Sequence, residues 1–417
     1  MDEIIHKIAE GCSQDSGSID ELSLLHLRPY IESFLDPCWL DANLNRYKTW
    51  AKKYSYPTLQ RALLHRPIGM NILVAMIWAA RSWEEEYSLD PSFRPPNGAR
   101  SLIGISCSLA VLELHSGNYL DSQALKCIQT RLQSKDHFWG MVHETNTFAH
   151  FIRKGADVEP KFLKPANREE IVVHWRGYSI PVQCKSKQRG AGRLIPQDSF
   201  VTLAGSIARD AKLTGRNLLV RIGSTGHIRQ QDIDFLRNHV SLMGYTNTGP
   251  VLVSNGVRTF ALNISPISGN ITFDSARSYL SNFNFNVRML IGDPSPDGTG
   301  FNVDAVVGID ARPEDSLRSW NSLRQSIKRG AQQLMNSSPG IVAIHYADPV
   351  ADFEALCPSS QLMIAEMDKI MDRYPHLVAV MLSSEPDLQI PTEKVVGKAR
   401  SYVKKTCEFS ELLGSRI

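Results

Sequence analysis

Between Glu170 and Lys185 the chain reads Glu-Ile-Val-Val-His-Trp-Arg-Gly-Tyr-Ser-Ile-Pro-Val-Gln-Cys-Lys, two apolar-rich runs that meet at Arg176-Gly177. An Xaa-Gly pair between such runs favours a tight hairpin, because glycine takes up positive φ without a steric penalty. With those two residues as the turn, the pairing counts outward: Trp175 opposite Tyr178, His174 opposite Ser179, Val173 opposite Ile180, Val172 opposite Pro181, Ile171 opposite Val182 and Glu170 opposite Gln183. Opposed residues of an antiparallel pair share one side of the sheet, and side chains alternate along each strand. The hairpin therefore predicts that Glu170, Gln183 and Lys185 converge on one face, with Glu169, Val182 and Cys184 on the other. An acid, an amide and an amine together suit phosphodiester hydrolysis. The carboxylate and amide oxygens can hold a hard cation that keeps several waters. The cation acidifies a bound water, and the lysine orients that water or stabilises the charge that grows during attack.

The flanking residues extend the pattern. Segment 137–154 carries Phe138, Met141, Thr145, Phe148 and Ile152 at helical spacing, and Gly155 ends it as a glycine just past a helix would. Strands are expected at 156–163, 170–175 and 179–185, a helix at 198–214 and an apolar strand at 217–222. Glu144 stands three residues after Met141 and four before Phe148, on the border of the apolar stripe. A carboxylate there is costly without a partner or a task. At these residues the chain resembles the PD-(D/E)xK, or restriction-endonuclease-like, nucleases. Their pattern is a glutamate on the first helix, an acid opening the second strand and (D/E)-x-K on the third. The resemblance implies an α/β fold with a restriction-endonuclease-like core of helix, three strands, helix and strand. It implies catalytic roles for Lys185 and Glu144, and metal ligation by Glu170 and Gln183 with Mg²⁺ or Mn²⁺ as cofactor. It also implies nucleic acid, DNA in particular, as substrate, in restriction, repair or defence. Two positions depart from the pattern: Glu170 stands where aspartate is usual, and Gln183 replaces the acid of the third strand. Gln-x-Lys is similar to the form seen in Mrr-type restriction enzymes. Glu159, on the first strand, is a candidate replacement metal ligand. The same departures fit a second reading, a nuclease fold that has lost catalysis and binds nucleic acid or a protein partner in an assembly.

The remaining sequence divides around this core. Residues 1–135 read as a helical domain, with helices at 20–35, 42–52, 57–65, 68–86, 100–115 and 121–133, and Trp39, Trp50, Trp78 and Trp83 read as core or interface residues. The nuclease-like core is expected over 136–265, and residues 266–417 as an α/β C-terminal domain or an extension of the same sheet. Expected elements there are strands 286–292 and 303–309, a helix at 315–336, a strand at 340–346, a helix at 358–373 and a strand at 377–383. Lys187, Arg189 and Arg193 flank a glycine-rich loop and are candidates for nucleic-acid binding. Helix 315–336 sets Arg318, Arg324, Lys328 and Arg329 opposite Trp320, Leu323, Ile327 and Leu334, the pattern of a solvated basic face. Asp293, Asp304 and Asp310 read as turn and strand-end residues, and His143 and His174 as isolated.

Composition sets outer bounds. At 417 residues, 42% hydrophobic and 21% charged, the chain has room for two or three cores. A formal net charge of +3 permits an acidic partner without requiring one. The seven cysteines include no CxxC pair, which disfavours a zinc site and a disulfide framework and fits a reducing, cytoplasmic setting. No signal-peptide pattern opens the sequence and no apolar run is long enough to span a bilayer, so no membrane partner is expected. A phosphate-binding GxxxxGK[ST] loop, HExxH, GxSxG and GxGxxG are all missing from the sequence, which disfavours ATP hydrolysis, zinc proteolysis and serine hydrolysis.

Overall fold

The computed structural model describes residues 2–14, 19–53, 66–67, 69–164, 170–187, 195, 197–243, 248–267, 270–272, 285–294, 300–310, 313–335, 339–349, 360–385, 399–404 and 409–413. Their α-helices are α1 (Glu3–Cys12), α2 (Leu24–Ser33), α3 (Pro37–Lys53), α4 (Ile72–Leu89), α5 (Asn97–Ser116), α6 (Ser122–Gln133), α7 (Phe138–Arg153), α8 (Gln197–Leu213), α9 (Gln230–Leu242), α10 (Pro313–Gln333), α11 (Ser360–Arg373) and α12 (Ser410–Leu413). The strands are β1 (Asp157–Glu159), β2 (Ile171–Trp175), β3 (Tyr178–Lys187), β4 (Leu218–Ser224), β5 (Thr248–Ser254), β6 (Thr259–Pro266), β7 (Asn270–Thr272), β8 (Phe285–Pro294), β9 (Gly300–Asp310), β10 (Gly340–Pro349), β11 (Leu377–Glu385) and β12 (Ala399–Val403).

Helices α1 to α7 precede the first strand, and their starts follow local chemistry. Asp2, Asn71 and Asp121 accept the backbone N–H of Ile4, Leu73 and Ala124, capping α1, α4 and α6. Helix α4 opens with six successive buried residues, Ile72 to Ile77, as a helix in the middle of a bundle must. Trp83 lies in this core and donates its Nε1–H to the Phe93 carbonyl at 2.9 Å, while Trp39, Trp50 and Trp78 pack partly buried around it. The helix expected at 57–65 falls outside the described residues.

The first sheet runs β1-β2-β3-β10-β11-β12. The β2–β3 hairpin has the pairing counted from the sequence, from Trp175↔Tyr178 to Ile171↔Val182. Arg176 and Gly177 both take positive φ, 49° and 83°, the backbone of a type I′ turn whose twist matches the strands it joins. Strand β10 lies parallel to β3 and β11 parallel to β10, while β12 runs antiparallel at the far edge. Alternation assigns each strand residue to a layer. Val182, Cys184, Ile341, Ala343 and Ala379 point into the core shared with the N-terminal helices. Val342, Ile344, Val380 and Leu382 point into the core beneath α10 and α11. A sheet covered on both faces explains the unbroken apolar run Ile341-Val-Ala-Ile344. Gly330 lets α10 sit close to this sheet, since a Cβ there would lie 2.9 Å from the methyl groups of Val342.

The second sheet runs β5-β6-β4-β9-β7, with β8 on the other side of β9. It has its own core, built with α8 and α9 from residues such as Phe200, Ile207, Val220, Leu236 and Phe260. This corrects the expected partition of the chain. The strand expected at 217–222 is β4, and it pairs with β6 and β9 instead of with the hairpin. The neighbour of β3 is β10, supplied more than a hundred residues later. Residues 136–265 therefore do not form one core, and the C-terminal strands divide between the two sheets. Both β4 and β10 follow a helix and are apolar on both faces, so strand character alone does not choose between them. Chain length opposes the distant choice only weakly, because loop-closure cost grows with the logarithm of loop length.

A polar knot ties the second unit together. The fully buried Asp232 carboxylate accepts hydrogen bonds from the Arg229 N–H at 2.7 Å, Asn255 Nδ2 at 2.7 Å and Arg258 Nη1 at 2.5 Å. Removing the arginine strands a buried negative charge. Arg258→Ala is expected to destabilise this unit by about 3–5 kcal/mol, read as a lower urea midpoint, with Arg258→Lys intermediate.

A candidate active site at the end of strand β3

Strand β2 stops pairing at Ile171, and one residue earlier Glu170 turns aside, its carbonyl accepting the Phe162 N–H at 2.7 Å. Its side chain then reaches back across the gap. Oε2 accepts the Cys184 backbone N–H at 2.9 Å, and Oε1 lies 3.7 Å from Lys185 Nζ. The expected pair of Glu170 with Gln183 is not formed, because the register ends at Ile171↔Val182. Gln183 is 1% exposed, on the sheet face beneath α10, and no donor among the described residues reaches its Oε1. On the side of the sheet covered by the N-terminal helices, Glu144 of α7 is gripped by Arg131 of α6. Nη1 bonds Oε2 at 2.6 Å and Nη2 bonds Oε1 at 2.8 Å.

These groups form one electrostatic unit. Loss of water raises the Glu170 carboxyl to about 7, offset in part by Lys185 and the Cys184 N–H and reinforced by the charge of Glu144. Burial also pushes Glu144 up, against the pull of Arg131 and Lys185. The Arg131 guanidinium, mostly buried, is drained by desolvation but held charged by Glu144, with Glu170 adding to its field. Two acids and two bases thus share a poorly hydrated space, the setting in which charges interact strongly. From Lys185 a cavity of about 570 Å³ opens between the end of β3 and α10, lined by Ser186, Lys187, Ser326, Arg329, Gln332 and Gln333.

The expected site residues fare differently. Glu170 and Lys185 come together, and Glu144 joins them through the field it shares with Arg131. Glu159 sits apart on the β1 edge, where it pairs with Lys161 and with His174 Nε2 at 3.0 Å. The expected role of Glu159 as a metal ligand therefore has no support in this geometry: Lys161 and His174 already occupy its carboxylate. Lys187 is tied to α10, donating to Ser322 O and Oγ at 2.8 Å each. Arg189 and Arg193 lie outside the described residues, as does Glu169. Asp293 pairs with Lys212, and Asp310 with Arg221 at 3.0 Å. His143 is not isolated. It stacks on His345 of β10 at 5.4 Å between ring centroids, faces the Ala343 carbonyl at 3.1 Å, and is driven by burial down to about 3, so it is neutral near pH 7. Sequence reasoning missed Arg131. The signal was present: Arg131 follows Ile128 by three positions and borders the buried stripe Ala124, Ile128 and Leu132, as Glu144 borders its own.

Among the described residues no group of three or more His, Cys, Asp or Glu side chains is placed to hold a metal ion. Glu170 supplies one carboxylate and Gln183 an amide Oε1 without a donor among the described residues, oxygen types that Mg²⁺ or Mn²⁺ accepts when water completes the shell. In comparisons with known proteins no family model matches the chain, and no curated protein or solved structure matches it.

The raised Glu170 carboxyl makes stability depend on pH. Between its usual 4.5 and about 7 the folded chain keeps a proton that the unfolded chain has lost. Stability therefore falls as pH climbs through that interval and levels off above it. In buffer containing a chelator, Glu170→Gln is expected to match the wild type near pH 4 and to exceed it at pH 8 by on the order of 2 kcal/mol. Urea midpoints at the two pH values check this, and an identical pH slope in both proteins would remove the desolvated acid from the account.

Proposed function

We propose that this chain is a metal-dependent nuclease that hydrolyses phosphodiester bonds, with DNA as the substrate. The observation that carries the reading is the meeting of the desolvated Glu170 carboxylate and Lys185 at the point where β2 leaves β3, on the strand that also carries Gln183, a buried amide whose Oε1 has no donor among the described residues. An orphaned buried acceptor costs about 1–3 kcal/mol, and a hard cation is one way to satisfy it. The element order also supports the reading. With the second sheet set aside as an insertion, α7, β1, β2, β3, α10 and β10 follow the helix, three strands, helix, strand of the PD-(D/E)xK nucleases.

Each side chain has a role in this reading. Glu170 and Gln183 would hold Mg²⁺ or Mn²⁺. The bound cation supplies an acidified water and a positive charge for a phosphate oxygen. Lys185, partly exposed at the mouth of the cavity, orients the attacking water or takes up charge on the phosphate as the bond to the leaving oxygen breaks. Glu144 is a positioning residue. Held by Arg131, it would add a negative field behind Lys185 and Glu170.

A second reading rests on the same pair. The grip of Arg131 on Glu144 removes one of the acids that such a site normally offers a cation, which suits a nuclease fold that binds nucleic acid or a protein without cutting. Plasmid cleavage separates the two. With Mg²⁺ or Mn²⁺ the wild type is expected to nick or linearise DNA, and Lys185→Ala to lose about a hundredfold or more of that rate while keeping its circular dichroism spectrum and urea midpoint. Cleavage that is absent with both metals, alongside chelator-resistant DNA binding that Lys185→Ala leaves intact, would select the second reading.

A further inference from the structure

The cavity beside Lys185 has a property that the hydrolytic reading does not use. Lys187 and Arg329 both line it, and Arg329 disfavours the charge on Lys187, adding to the larger effect of burial. Like charges that face one cavity disfavour each other and leave a positive potential there that attracts an anion. No carboxylate of the described residues pairs with either one. Lys187 spends its contacts on the Ser322 carbonyl and hydroxyl, which fix the ammonium but leave its charge uncancelled. Apart from Lys185, the remaining walls are neutral donors and acceptors: Ser186, Ser326, Gln332 and Gln333. The cavity is thus cationic, polar and open, the lining that an oxyanion needs and an apolar ligand does not.

Its position selects which oxyanion. Lys185 and Lys187 are two residues apart on β3 and share a sheet face, so their backbones are separated by about 6.6 Å, two strand rises. That spacing is comparable with the distance between neighbouring phosphates along a nucleic-acid strand. We propose that the cavity between β3 and α10 is a second phosphate subsite, in which Lys187 and Arg329 hold the backbone phosphate next to the one beside Lys185. Gly330 contributes indirectly: by letting α10 approach β10, it brings Arg329 within reach of the strand. The ligand being a nucleic-acid strand rests on the function proposed above; the anion-binding character of the cavity does not.

The test is binding of a fluorescein-labelled DNA duplex to the full chain, followed by fluorescence anisotropy in chelator across a salt series, so that no cleavage intervenes. Arg329 is exposed, and its replacement spares the core. Arg329→Ala is expected to weaken binding about tenfold and to lower the slope of log K against log salt by about one. Gln332→Glu, which adds an opposing charge to the same wall, is expected to weaken binding similarly, and Arg329→Lys to restore most of it. Lys126→Ala, at an exposed position of α6, is the control for net charge and should bind as the wild type does. Wild-type affinity and slope in both Arg329→Ala and Gln332→Glu would overturn the subsite, as would a wild type that does not bind the duplex. Calorimetric titration with inorganic phosphate distinguishes the source of the anion: phosphate binding that depends on Arg329 without duplex binding would assign the cavity to a small anion and overturn the strand proposal. A wild type that never cleaves but still shows the Arg329 effect on duplex binding would sink the nuclease reading and leave the subsite standing.

Discussion

The architecture of the site depends on one hydrogen bond, from the Cys184 N–H to the Glu170 carboxylate. A backbone donor at the end of a paired region must find an acceptor, and here a side chain provides it. Because the carboxylate bridges the gap, β2 can turn away at Glu170 while β3 continues to Lys187 between it and β10. The extra length of glutamate serves this geometry, since one oxygen reaches the Cys184 N–H while the other faces Lys185. A glutamate at this position thus has a local structural reason. The bond also fixes Glu170 where water is scarce, which raises its carboxyl and couples it to Glu144 across the sheet.

The surrounding charges are arranged in alternation: Arg131, Glu144, Lys185, Glu170. Such a chain stabilises little beyond what its own desolvation costs. What it does supply is orientation. Arg131 holds Glu144 through two parallel bonds, a geometry that leaves the carboxylate no freedom to rotate. Lys185 then lies 3.7 Å from Glu170, within the field of Glu144, and lines the open cavity.

The hairpin was legible in the sequence because its information is local: a two-residue turn with glycine second fixes register, and register fixes faces. The helical character of the first 135 residues was legible for a similar reason, the periodicity of apolar residues. The sheet partner of β3 was not. Several helix–strand units follow β3, and those at 197–224 and 313–349 are both apolar enough to be central. Only contacts distant in sequence select the second of them. The pairing of Glu144 with Arg131 belongs to the same class, since α6 and α7 are adjacent in sequence but their crossing is set by packing. Glu159 reads as an available acid until the sheet places His174 and Lys161 against it.

The long excursion between β3 and β10 also sets the order of events in folding. The hairpin can close as soon as residue 187 is made, but the far side of β3 then presents bare amides and carbonyls until the residues after 340 arrive. Unpaired strand edges recruit other chains, and non-local pairing is slow to form. Synthesis therefore passes through a stage in which the future site is an open edge, and the whole of the second unit emerges before that edge is covered. The nascent chain is therefore most exposed to aggregation along the strand that carries Gln183 and Lys185.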